Sequence, residues 1–238
     1  RTSSTVRPST PWWDRPDDRR GWFTLGTSVL VAALFTGLAG YAASGMAAGR
    51  TSVDLAFPLR DGVAYVGQGG ANPLLNYHNP NRAQAYALDI VGLNPAGLHA
   101  WGVAPAEPGR YAIFGRAVHS PCAGTVVEAR DGLADQHPPT TDRVNLAGNH
   151  VVIRCQDTEP AVDVLLAHLS TGSVAVQPDA DVAVGDLIGR VGNTGNTSEP
   201  HLHVHAVRTD SGTALDGDGV PIRFGGRFLV RNDLVFGA

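Results

Sequence analysis

The chain has 238 residues and a formal net charge of −4, and all 18 of its basic residues are arginine. Without lysine, Schiff-base catalysis and a Walker-type phosphate loop are excluded, and an acidic balance with no basic patch argues against a nucleic-acid partner. The 29 glycines, 16 prolines and only 17% charged residues describe short strands joined by turns, enough for one domain plus appendages.

Residues 1–20 form an arginine-rich tail in which Arg1, Arg7, Arg15, Arg19 and Arg20 outnumber three aspartates. From Gly21 to Gly49 there is no charged residue, a run long enough for a helix across the ~30 Å hydrocarbon core of a membrane. Arginines before the run and few after it place the tail in the cytoplasm and the larger part of the chain outside. The small residues at 42–49 also suit a cleaved export signal, which would release a secreted domain. A transmembrane anchor over residues 21–49 is the expectation, followed by a polar linker at 50–56 and a single domain over 57–238.

An exported domain gives its cysteines a meaning. Cys122 and Cys155 are the only two, both at ends of expected strands, and an even pair in an oxidising compartment is a disulfide candidate. Strands are expected at Val63–Val66, Ala85–Val91, Tyr111–Phe114, Gly124–Ala129, His150–Cys155, Val162–Leu169, Asp186–Val191, His201–Val207 and Arg227–Val230. Two long irregular stretches, near Asn94–Gly109 and Asp131–Gly148, read as functional walls. The fold class is therefore mainly β: a compact antiparallel domain with long loops around a groove, preceded by one transmembrane helix.

The chemistry concentrates between Gly192 and His205. A loop of Gly, Asn and Thr ends at Pro200, and His201, His203 and His205 then alternate with Leu202 and Val204. Period-two alternation puts all three imidazoles on one strand face, where each needs a hydrogen bond or a metal if buried. Asp89 interrupts the apolar run Tyr86–Val91, and a carboxylate in a central strand needs a partner such as a cation. His168 ends the apolar run Val164–Leu169, where a satisfied core histidine is the simpler reading.

Taken together, these residues resemble the lysostaphin-type (LytM-like) zinc endopeptidases, which cut peptide cross-links of bacterial peptidoglycan. The matching pieces are Ala167-His168-Leu169-Ser170, Val182–Gly189, Val191–Gly195 and Pro200-His201-Leu202-His203, with Ser120–Val127 and Gly148–Ile153 similar to the two preceding strands. The resemblance, over roughly residues 57–210, implies a fold of the duplicated hybrid motif type, a Zn²⁺ cofactor, and a peptidoglycan peptide or other extended peptide as substrate. It implies His203 and Asp89 as metal ligands, with His168 and His201 flanking a catalytic water. The family's remaining ligand, a histidine four residues before the aspartate, is here Ala85. His78, eleven residues before Asp89 on a loop marked by Asn-Pro, is the candidate substitute, with His99 and His119 behind it. His205 and His150 are expected in structural or supporting roles. The alternative functions are a catalytically inactive relative that binds cell-wall peptides or regulates another hydrolase, a phosphocarrier domain, and a metal store.

Overall fold

The computed structural model describes residues 19–49 and 51–237; of the arginine-rich tail, residues 1–18 lie outside the described residues. The described residues up to Tyr41 form one compact unit, and those from Ala42 onward form another. Helix α1 (Arg19–Ser44) contains an uncharged stretch, Gly21–Ser44, long and apolar enough to cross a membrane. Trp22, Phe23, Leu30 and Phe35 are all more than half exposed along it. Its rise of 1.5 Å per residue gives a length of about 36 Å over those 24 residues.

In the second unit the described residues form fourteen strands and no α-helix beyond Ser44. In chain order these are β1 (Val53–Leu55), β2 (Val63–Gln68), β3 (Leu88–Leu93), β4 (Ala117–His119), β5 (Gly124–Arg130), β6 (Asn149–Cys155) and β7 (Val162–Leu169). There follow β8 (Asp181–Val182), β9 (Leu187–Arg190), β10 (Leu202–Arg208), β11 (Gly219–Val220), β12 (Ile222–Phe224), β13 (Arg227–Phe228) and β14 (Leu234–Phe236). One antiparallel sheet carries the architecture, in the order β14-β2-β3-β10-β7-β6-β5-β8 with β11 also on β10. Two small sheets, β4-β9 and β1-β12-β13, flank it.

Of the stretch 50–56 expected as a linker, residues 51–56 lie within this unit. Val53 and Leu55 are buried in the core, and β1 pairs in parallel with β12. The polar side chains of Thr51, Ser52 and Asp54 suggest a tether, but only alternate residues of a strand need be apolar. The strand expected at Tyr111–Phe114 is a series of turns, in which Phe114 N–H donates to Tyr111 O and Arg116 N–H to Ile113 O.

The central sheet has two unlike faces. Leu88 and Ile90 of β3, Val164 and Leu166 of β7, and Leu202, Val204 and Ala206 of β10 enter the main core. Their alternates include a small apolar cluster of Val152, Leu165 and Ala167, joined by Ala214, and the polar residues described next. Cys122 and Cys155 form a disulfide with Cα atoms 5.7 Å apart, clamping the start of β5 to the end of β6 where Gly124 lies opposite Cys155.

Candidate metal centre

β10 lies between β3 and β7, and His203 is directly opposite Asp89 on one side and Ala167 on the other. Directly opposed residues of antiparallel strands project to the same face with close Cβ atoms. His203 Nδ1 is accordingly 2.8 Å from Asp89 Oδ1. The carboxylate's other oxygen, Oδ2, is 2.9 Å from His78 Nε2 and accepts from the Tyr77 hydroxyl at 3.2 Å. His201, just before β10, brings its Nε2 to 3.5 Å from Asp89 Oδ1. One buried carboxylate is thus ringed by three imidazoles and a phenol.

His78 reaches this point because the loop between β2 and β3 folds back over the sheet. Fully buried Asn76 donates through Nδ2 to Ala87 O at 3.0 Å and Gly70 O at 3.2 Å, and its Oδ1 accepts from His78 N–H at 3.1 Å. Asn79 Nδ2 donates to Ala85 O at 3.0 Å. Side-chain amides that bond nearby backbone hold a turn in place of a regular ladder. Ala85, where the resemblance would put a ligand, serves here as a backbone acceptor beneath His78.

His168 arrives by a different device. Strict alternation along β7 would send it into the main core beside Leu166. Leu166 lies opposite Val151 and Leu169 opposite Asn149, so Ala167 and His168 together face His150, a β-bulge. His168 has φ 63°, the left-handed region that costs an ordinary residue roughly 1–2 kcal/mol. Bulges redirect a side chain, and this one turns the His168 ring to 4.8 Å from that of His201 and 5.8 Å from that of His203. Leu169 then resumes the core face.

Backbone carbonyls fix both rings. His168 Nδ1–H donates to Thr194 O at 2.8 Å, and His201 Nδ1–H donates to Glu199 O at 2.9 Å. A carbonyl only accepts, so Nδ1 carries the proton in each and Nε2 is left for chemistry. In the loop before His201, Asn193, Thr194 and Thr197 are buried, holding His168, His201 and their surroundings, and Asn196 lines the groove.

The charges are strongly coupled. Burial pushes the Asp89 carboxyl upward, yet the charge of His201 and hydrogen bonds from His201, His203 and His78 outweigh it and hold Asp89 well below the usual carboxylate range. Burial would lower His201, but attraction to Asp89 wins and its pKa is raised. His168 falls well below the usual imidazole value through burial, reinforced by repulsion from His201 and His203. Burial likewise lowers His203, against the pull of Asp89. Tyr77 is raised by burial and by Asp89, so its phenol stays a neutral donor.

Two overlapping groups of side chains have ligand atoms all within 4.8 Å of one another: His78, Asp89 and His203, and His168, His201 and His203. Two imidazole nitrogens and a carboxylate oxygen form the donor set of a catalytic zinc site with a fourth position open, whereas magnesium and calcium prefer oxygen alone. The buried anion among imidazoles therefore fits zinc. Neither His99 nor His119 joins either group among the described residues; His99 Nε2 lies 3.6 Å from Glu199 Oε2, and His119 is in β4. His150 is satisfied structurally, through Gly148 O at 2.8 Å and Glu128 Oε1 at 3.0 Å.

The histidines open onto a groove of about 420 Å³. Val144 and Leu146 of the 131–148 loop, Leu215 and Tyr77 border it, all at least half exposed. The 131–148 loop is tied down by Asp135, which accepts from Ser170 Oγ at 2.8 Å and Asn193 N–H at 2.6 Å. Sequence reasoning did not find Tyr77, Asn76, Asp135 or Thr194. Tyr77 and Asn76 stand within two residues of His78, whereas Asp135 and Thr194 act on partners 26 to 58 residues away in sequence.

Residues 111–216 match the model of Peptidase family M23. That span holds His168, His201 and His203 but neither His78 nor Asp89. No curated protein sequence is significantly similar to the chain. Among solved structures, it is similar to the antimicrobial peptidase lysostaphin from Staphylococcus simulans, at 18% identity and a TM-score of 0.39, over 66% of this chain and 47% of that one. It is also similar to a zinc-containing peptidase from Vibrio cholerae, at 21% identity and a TM-score of 0.35, over 74% of this chain and 41% of that one. The chain spans about half the length of lysostaphin that it matches.

Proposed function

We propose that the protein, whose residues 111–216 match the model of Peptidase family M23, is a zinc-dependent endopeptidase working outside the cytoplasm on the peptide cross-links of bacterial peptidoglycan. His78, Asp89 and His203 are its metal ligands, and His168 and His201 its catalytic residues. The observation that carries this reading is the buried Asp89 carboxylate, with His78 Nε2 and His203 Nδ1 at 2.9 and 2.8 Å on its two oxygens. Outside a metal site, so many imidazoles around one buried anion would be a costly arrangement.

Zinc at such a site supplies positive charge that acidifies water and polarises a peptide carbonyl. The chain's own residues do the rest. His168, which lines the groove, and His201, whose ring lies 4.8 Å from it, are each anchored through Nδ1–H with Nε2 left free, one to take a proton from the attacking water and the other to return one to the leaving amine. Fixed orientation matters because proton transfer needs heavy-atom distances near 3 Å. The apolar groove border excludes water beside the reacting bond and accepts an extended peptide.

For location, the uncharged Gly21–Ser44 stretch of α1 follows Arg19 and Arg20, which supports a membrane anchor with the β unit outside. The Cys122–Cys155 disulfide suits an oxidising compartment. The test is digestion of purified peptidoglycan by the full chain, following the new amino termini released. Zinc-loaded protein should release them, a chelator should stop it, and added zinc should restore it. Zinc-loaded, folded protein that cleaves neither peptidoglycan nor its isolated stem peptides overturns the proposal.

A further inference from the structure

We propose that Arg130 is a specificity-determining residue that takes a free carboxylate of the peptide substrate at the far end of the groove, an assignment that rests on the peptidase reading above. Its place follows from the sheet. Arg130 of β5 is directly opposite His150 of β6, His150 faces Ala167 and His168 of β7, and Ala167 is opposite His203 of β10. Directly opposed residues share a face, and Arg130, His150, His168 and His203 all line the groove. Arg130 therefore ends a row that begins at a metal ligand. The order β10-β7-β6-β5 separates the two backbones by three strand spacings, about 14 Å. An extended peptide laid along that row advances about 3.3 Å per residue, so the carboxylate it offers Arg130 is roughly four residues from the scissile bond.

The guanidinium is oriented without being neutralised. Its Nη2 donates to Asn145 Oδ1 at 2.6 Å. Asn145 is fixed in turn by Asp142, which accepts from its Nδ2 at 2.6 Å and its N–H at 3.0 Å. Asp142 attracts the cation without touching it. Glu128, the other charged side chain that β5 turns to the groove, is engaged elsewhere: its Oε1 is 3.0 Å from His150 Nε2. Among the described residues Arg130 makes no ion pair, whereas the exposed Arg82, Arg154 and Arg208 each pair with an aspartate.

An arginine fork with most of its N–H groups unengaged matches the two oxygens of a carboxylate with two parallel hydrogen bonds, which a lysine could not do. Val144 and Leu146, on either side of Asn145, border the same end of the groove. Covered by a bound peptide, they exclude water and strengthen the pairing. The substrate class is thus a peptide with an acidic residue or a free carboxyl end on one side of the cleaved bond, rather than a run of uncharged residues alone.

The test uses the zinc-loaded full chain and two forms of one substrate. These are cross-linked stem peptides from peptidoglycan, and the same peptides with their carboxyls converted to carboxamides by carbodiimide and ammonia. The readout is the ratio of kcat/KM between the two forms. Wild type should favour the carboxylate form by about 10–100-fold, the range set by hydrogen bonds to a charged group. Arg130→Gln should cleave both forms with nearly equal kcat/KM, and Arg130→Lys, which keeps the charge and loses the fork, should retain only part of the preference. Arg143→Gln removes an arginine from the same loop as Asn145 but outside the groove lining, and should keep the wild-type ratio. Equal cleavage of both forms by wild type, an unchanged ratio in Arg130→Gln, or a ratio lost equally in Arg143→Gln overturns the proposal. If Arg130→Gln does not fold, the ratio in Arg130→Lys decides. Zinc-loaded protein that cleaves neither form counts against the peptidase reading beneath, and calorimetric affinities for the two forms then decide the role of Arg130 by the same comparison, with no binding of either form overturning it.

Discussion

At the scale of single residues, the site depends on side chains held where ordinary strand geometry would not put them. His168 occupies a left-handed backbone position, φ 63°, inside an otherwise regular strand, and the bulge turns its ring out of the core. The role of acid or base proposed for it predicts that His168→Ala lowers turnover by roughly 10²–10⁴-fold while zinc stays near one per chain. Unchanged turnover, or zinc lost along with activity, would remove His168 from the catalytic pair. Asn76 makes the complementary point, since its two backbone acceptors, Ala87 O and Gly70 O, hold the loop that delivers His78. Replacing it by leucine leaves buried polar groups unpaired, at a cost of about 1–3 kcal/mol each. Zinc affinity should fall although Asn76 touches no metal, as titration with a competing chelator would show. Affinity at the wild-type level would mean that His78 finds its place without that loop.

At the scale of elements, three neighbouring strands assemble the centre: β3 supplies Asp89, β10 and the residue just before it supply His203, His205 and His201, and the bulged end of β7 supplies His168. Two loops lock it. Gly195, at φ 89°, approaches Gly148 N and Leu146 O so closely that a Cβ would collide with backbone. Gly148, at φ 62°, stands equally close to Thr194 O, the acceptor that orients His168. Gly195→Ala should therefore cost roughly 1–3 kcal/mol of stability and reduce turnover as well, measured by urea unfolding and peptide cleavage. A variant as stable as wild type would show that the two loops can part.

Much of this assembly was legible in the sequence. The run Val162–Leu169 coincides with β7 because both its faces are buried, which leaves it apolar apart from Asp163 and His168. The period-two histidines read correctly as one face, with His201, His203 and His205 at 9%, 4% and 1% exposure rather than on the surface. What escaped notice had a physical cause. Strands of two or three residues, such as β8, β11 and β13, are too short to show a period. Tyr111–Phe114 has strand-like composition, but Pro105, Pro108 and Gly115 around it favour turns. The bulge at His168 is invisible to alternation, which puts that side chain in the core.

At the scale of the whole molecule, stability is shared between a covalent clamp and a buried cluster of ionisable rings. The Cys122–Cys155 bond closes a separation of 33 residues, and its removal should cost about 2–4 kcal/mol, read from denaturation with and without reductant. The histidines set the acid limit of the metal-free protein. Burial lowers the His205 pKa to about 3, and His168 and His203 are also lowered, whereas unfolded histidines titrate near 6.5. Below about pH 6.5 the unfolded chain binds protons that these folded rings refuse, so stability must fall with pH from there toward about 3. Asp89, depressed when folded, adds a loss below the ordinary carboxylate pKa. His201, raised when folded, opposes the trend, one ring against three. A melting temperature that rises between pH 6.5 and 4 would contradict these buried neutral rings.

The most direct measurement is anomalous diffraction at the zinc edge from crystals of the full chain grown with zinc. One peak should lie about 2.0–2.2 Å from His78 Nε2, an Asp89 carboxylate oxygen and His203 Nδ1, with the His168 and His201 rings beside its open side. A peak held without His78, or no peak at Asp89 and His203, would contradict the three-ligand centre.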